Sequence, residues 1–144
     1  RSAALNLVIT DTGAAKAISG VMPELKGKLT ANAIRVPTPN VSLAIMHLNV
    51  KKGVSVEDLN QCFRNAAFHS GLRTTIDYSN SLDAVSSDFY SNEFACVFDS
   101  QATISNFNNI TIYCWYDNEY GYSRQVARLL NKALGINLVR YPKQ

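Results

Sequence analysis

The chain has 144 residues, 47% hydrophobic and 17% charged, against a charged share of about 25% in ordinary soluble domains. This length suits one core, the composition excludes disorder, and the shortage of charge predicts that a partner covers part of the surface. A net charge of +3 with no block of Lys or Arg argues against a nucleic-acid arm.

Cys62, Cys96 and Cys114 are odd in number and show no Cys-x-x-Cys or Cys/His metal spacing. They read as reduced thiols in a cytoplasmic protein, with no structural metal expected. Apolar runs such as 43–46 fall far short of the ~20 residues of a membrane helix, and the N-terminus lacks a signal-peptide core. No membrane partner is expected. The chain opens on Arg1 rather than Met, as expected of a piece of a longer polypeptide.

From Thr12 onward, Ala14, Ala15, Ala17, Ile18 and Val21 predict a helix of about three turns, with Thr12 able to cap it. Pro23 and Gly27 mark a loop. Segments 29–36 and 41–50 read as strands joined by Pro37-Thr38-Pro39-Asn40, and the strand over 41–50 is expected to be covered on both faces. Val56 to Ser70 reads as a helix capped by Ser55, with Leu59, Cys62, Phe63, Ala66 and Ala67 inward and Gly71 as its stop.

The segments 74–78, 94–98, 103–107 and 110–116 are β-prone and separated by Asn, Ser and Asp, which predicts an α+β fold with a mixed, largely antiparallel sheet. Apolar side chains alternate along 110–116, so packing is expected on both faces, and a face without helices of its own would need another subunit. A final helix places Tyr122, Val126, Leu129, Leu130 and Ala133 on one stripe before Gly135.

Three features suggest chemistry. Thr12-Gly13 at a helix start offers free N–H groups and close approach to an anion, although an ordinary cap uses the same residues and Asp11 could itself be that cap. Arg35 in an apolar strand needs a phosphate, a carboxylate or an internal acid, unless it simply faces solvent. The Asn118 amide could pair with a ligand carboxamide or cap the last helix, and Tyr122 one turn later could stack on a ring or pack in an interface. His47 and His69 sit beside no nucleophile and read as structural or surface residues; the cysteines read as inert, with Cys62 and Cys114 on buried stripes.

Trp115-Tyr-Asp-Asn-Glu-Tyr-Gly-Tyr-Ser-Arg-Gln-Val-Ala-Arg-Leu-Leu130 closely resembles the C-terminal signature of phosphorylating glyceraldehyde-3-phosphate dehydrogenases. The stretches TGAAKA from Thr12, RVPTPNVS from Arg35 and VSSDF from Val85 match the same family in the same order. The resemblance implies the catalytic half of that enzyme: residues 1–117 as substrate domain, 118–134 as a helix docking on an absent N-terminal nucleotide domain, and 135–144 as a tail. Helices would cover one sheet face and another subunit the other, within a homotetramer.

By the same resemblance Thr12 and Gly13 hold inorganic or substrate phosphate, Arg35 belongs to the second phosphate site, Asn118 holds the nicotinamide carboxamide, and Tyr122 packs nearby. The nucleophilic Cys and the base His lie upstream of Arg1. This chain then carries no catalytic residue, is inactive alone, and holds no NAD or NADP by itself. Its partners would be a phosphorylated aldehyde and inorganic phosphate. Two departures stand out: Asp11, where many members have Ser or Thr, and the stretch 91–101. Two other readings are an erythrose-4-phosphate dehydrogenase domain, whose usual WCDNEWGF differs from WYDNEYGY here, and a non-catalytic anion-binding or assembly module.

Overall fold

The computed structural model describes residues 2–136, which divide into two compact units, one ending at Pro39 and the other beginning at Asn40. In the first, β1 (Val8–Asp11) pairs antiparallel with β2 (Asn32–Arg35), in a register running from Val8 opposite Arg35 to Asp11 opposite Asn32. Between them lie α1 (Ala14–Val21) and a short 3-10 turn, Pro23–Leu25. The expected three-turn helix is only eight residues long. Pro23 accounts for this, because a proline drives the residue before it out of the helical region, and Met22 sits at φ −129°. The expected strand over 29–36 contracts to four residues, and β1 is an addition to the sequence reading.

The second unit is a five-stranded mixed sheet in the order β3-β7-β5-β4, with β6 also pairing with β7. Its strands are β3 (Ser42–Asn49), β4 (Ile76–Ser79), β5 (Cys96–Asp99), β6 (Ile104–Asn106) and β7 (Asn109–Tyr116). All pairings are antiparallel except β4 with β5. The predicted α+β class and mixed, mainly antiparallel sheet are therefore present.

One face of this sheet carries α2 (Val56–His69). Its cap is as predicted: the Ser55 hydroxyl accepts from the Asp58 N–H at 3.0 Å and donates to the Asp58 carboxylate at 2.8 Å. Gly71 is not the stop. Ser70 ends the helix instead, its hydroxyl donating to the Ala66 carbonyl and accepting from the Leu72 N–H. Leu59 packs with Phe98, Ile110, Ile112 and Cys114, and Phe63 stacks on Phe98 with ring centres 4.0 Å apart. Phe98 is fully buried, and such a side chain contributes about 1.5–3 kcal/mol. Cys62, expected on the buried stripe, lies on the exposed side of α2.

The other face is largely open within this chain, as a face awaiting cover from outside the chain would be. Alternation puts Leu43, Ile45, Tyr113 and Ile104 there, and Ile45 is 50% and Ile104 54% exposed. Only its β5 end is sealed: Phe89 stacks on Trp115 at 5.2 Å, and the Trp115 indole N–H donates to the buried Asp99 carboxylate at 2.9 Å.

The last helix, α3 (Tyr120–Ala133), grips its own unit by a polar face. Arg124 pairs with Glu93 at 2.7 Å, Gln125 donates to the Glu93 carbonyl, and Arg128 donates to the Thr74 carbonyl and to both the Thr74 and Thr75 hydroxyls. Its apolar stripe stays open among the described residues, with Tyr122 71% and Leu129 68% exposed. Gly135 ends it as predicted: at φ +70° it donates to the Lys132 carbonyl while Ile136 donates to the Asn131 carbonyl, closing the last turn. Of the expected tail 135–144, residues 137–144 lie outside the described residues.

Candidate functional site

In the first unit the chain leaves β1 at Asp11 and enters α1 at Ala14, so Thr12 and Gly13 form the corner. The Thr12 hydroxyl accepts from the Ala14 N–H at 3.3 Å and the Gly13 carbonyl closes the first turn from the Ala17 N–H. Thr12, not Asp11, is the side chain that bonds the helix start. The Ala15 and Lys16 N–H groups have no intrahelical acceptor and point outward at the positive end of the helix dipole. The first turn contains no acid.

Gly13 has an ordinary negative φ of −77°, and a Cβ built on it would meet nothing within 4 Å. Packing therefore gives no reason for glycine here, and the open space over the corner is room for an anion. Arg35 ends β2 opposite Val8, exposed and without a hydrogen bond or ion pair among the described residues. Both features belong to one ribbon. From Val8 to Thr12 is four residues, roughly 13 Å of extended chain, so the backbones of Arg35 and of the Thr12-Gly13 corner lie toward opposite ends of the ribbon.

In the second unit β7 hands over to α3 at Asp117-Asn118. Asp117 is buried, and its carboxylate accepts from the Tyr120 N–H (2.8 Å), the Ser91 N–H (2.9 Å), the Asn40 amide (3.1 Å) and the Glu119 N–H (3.1 Å). Burial works to raise its pKa, but these four donors outweigh burial and hold it below the usual carboxylate range. Asn40 also accepts from the Val41 N–H at 2.7 Å. Val41 sits at φ 69°, a left-handed conformation that a β-branched residue holds only under external constraint.

Asp117 thereby takes the capping role that the sequence left open for Asn118. Asn118 is exposed and its amide is uncommitted among the described residues. It lines an open cleft of about 250 Å³ with Ala95, Tyr116, Asp117, Tyr122 and Gln125. That is below the ~300–1,000 Å³ of a self-sufficient ligand pocket, so it suits one end of a larger molecule. Sequence reasoning missed the Asp117 hub; an Asp directly before a helix start was the available signal.

The family model described as glyceraldehyde 3-phosphate dehydrogenase, C-terminal domain, matches residues 1–118. The chain belongs to this family. It is 51% identical over 143 residues to a glyceraldehyde-3-phosphate dehydrogenase-like protein of Pseudomonas aeruginosa, covering 99% of this chain and 31% of that protein. It is 47% identical over 131 residues to the chloroplastic glyceraldehyde-3-phosphate dehydrogenase B of Pisum sativum, covering 90% and 29%. Glyceraldehyde-3-phosphate dehydrogenase 2 of Trichormus variabilis is 44% identical over 130 residues, with 90% and 38% covered. The chain thus spans about a third of the length of these curated relatives. The family match ends at Asn118, whereas similarity to the Pseudomonas protein takes in nearly the whole chain, α3 included.

Proposed function

We propose that this chain is the substrate-side part of a cytoplasmic dehydrogenase that oxidises glyceraldehyde 3-phosphate with NAD or NADP and transfers the acyl product to inorganic phosphate. The observation that carries this reading is the β1–β2 ribbon, which bears the open Thr12-Gly13 helix corner and the exposed Arg35 on one strand pairing; in this reading each holds one phosphate. Helix N–H groups and a guanidinium hold such anions without a metal. They also screen the charge that builds up when two phosphate-bearing reactants meet at one centre. NAD or NADP fits the Asn118 cleft as a carboxamide end, since the amide freed by Asp117 can both donate to and accept from it. The bound nicotinamide supplies the hydride acceptor; the chain's own part is to orient it.

In this reading the nucleophilic Cys and the base His belong to a preceding segment, the open stripe of α3 docks on a nucleotide domain, and the open sheet face meets a second subunit within a homotetramer. The test is reduction of NAD or NADP by the full polypeptide that carries this chain, given glyceraldehyde 3-phosphate and inorganic phosphate. Phosphate-dependent turnover is expected. Phosphate binding without turnover would favour the assembly module instead, and preference for erythrose 4-phosphate the neighbouring dehydrogenase.

A further inference from the structure

The sheet brings two of the three cysteines together where the proposed reaction uses neither. Phe98 of β5 stands opposite Cys114 of β7, so Cys96, two residues before Phe98, projects on the same face diagonally from Cys114. Both thiols join the cluster beneath α2, with Cys114 buried and Cys96 partly exposed, and each shifts the ionisation of the other. Cys62 lies apart, exposed on α2.

We propose that Cys96 and Cys114 form a thiol–disulfide exchange site that takes low-molecular-weight disulfides such as oxidised glutathione. Cys96 is the entry thiol because it reaches solvent. Its thiolate attacks one sulfur of the glutathione disulfide, forming a mixed disulfide at Cys96 and releasing one glutathione thiolate. Cys114 then loses its proton to solvent and attacks the Cys96 sulfur, closing the Cys96–Cys114 bond and expelling the second glutathione thiolate. The pair loses two electrons and two protons, and the glutathione disulfide gains both.

The surroundings favour that order. The hydrogen bond from Cys114 stabilises a Cys96 thiolate and lowers the Cys96 pKa against burial. Cys114 is pushed strongly up by the Cys96 hydrogen bond, then by burial, then by the negative charges of Cys96 and Asp99. Mixed-disulfide formation at Cys96 removes that hydrogen bond and that charge together, so the resolving thiol becomes easier to ionise when it is needed. Diagonal cross-strand neighbours lie about 7–8 Å apart at Cα, just beyond the ~6.8 Å that a disulfide spans, so closing the bond requires the two strands to draw together at this point. The β5–β7 ladder consists of only two pairs, Val97–Trp115 and Phe98–Cys114, so Cys96 stands just past its end, paired on its other side with Ile76 of β4, and no β5–β7 pairing opposes its approach to Cys114. The bridge would close three residues before Asp117 and beside Ala95 of the Asn118 cleft.

The experiment treats the full reduced protein with oxidised glutathione, quenches with N-ethylmaleimide and maps peptides by mass spectrometry, in the parent protein and in Cys62→Ser and Cys114→Ser. The expected result is a Cys96–Cys114 cross-linked peptide, unchanged in Cys62→Ser and replaced in Cys114→Ser by a persistent glutathione adduct on Cys96. Cys96 and Cys114 both recovered as N-ethylmaleimide adducts would overturn the proposal. So would stable glutathione on Cys96 of the parent protein, or a cross-link forming only after unfolding in urea.

Discussion

Asp117 and Asn118 differ sharply although they are neighbours: Asp117 is buried in the hydrogen bonds of the helix start, while Asn118 leaves its amide exposed to the cleft. Asp117→Asn replaces a buried acceptor of four hydrogen bonds by a group whose NH2 faces a donor, and should cost about 2 kcal/mol or more; chemical denaturation measures it. Because the folded pKa of Asp117 lies below its unfolded value, its contribution is complete above the ordinary carboxylate range and fades as pH falls through the folded pKa. Asp117→Asn should therefore flatten the acid limb of the stability curve, and an unchanged acid limb would contradict the hub. Gly13 makes the opposite case. Gly13→Ala meets no atom within 4 Å and should leave the melting temperature unchanged or slightly raised, yet weaken phosphate binding by crowding the helix corner. Isothermal titration with inorganic phosphate, beside a melting curve, separates the two effects.

At the scale of elements, periodicity made α2, β3, β7 and α3 legible because each is long enough to show a pattern. Ser55 and Gly135 marked their ends through caps that depend only on local chain geometry. β1 escaped because four residues ending in Asp11 carry little alternation, and its partner β2 lies more than twenty residues on. The length of α1 was overestimated although Pro23 was in plain sight. Of the site, residue types and family motifs pointed to Thr12, Gly13, Arg35 and Asn118. The Asp117 network stayed hidden, since it draws Asn40, Ser91 and Tyr120 from distant segments. The seating of α3 supplies a prediction. A Cβ on Gly121 would lie 2.8 Å from the Phe94 carbonyl oxygen, so Gly121→Ala should destabilise by about 1–3 kcal/mol, despite the ~1 kcal/mol helix preference for alanine. A gain in stability by thermal melting would show that α3 sits elsewhere.

Across the molecule, large apolar side chains stand exposed on the sheet face at Leu43, Ile45 and Ile104, on α3 at Val126, Leu129 and Leu130, and in the first unit at Ile9 and Ile34. Large exposed patches of this kind mark association surfaces. The protein should sediment as an oligomer, and Ile45→Asp should shift it toward smaller species without unfolding it; an unchanged sedimentation profile would argue against the sheet face as the contact. The central claim, that one ribbon of this chain holds the phosphates of a phosphorylated aldehyde reaction, meets its most direct test in the specificity ratio of the full protein. Comparing kcat/KM for glyceraldehyde 3-phosphate with that for unphosphorylated glyceraldehyde, Arg35→Gln should lower the ratio about ten- to a hundredfold, the value of one charge-assisted contact. An unchanged ratio would contradict the account.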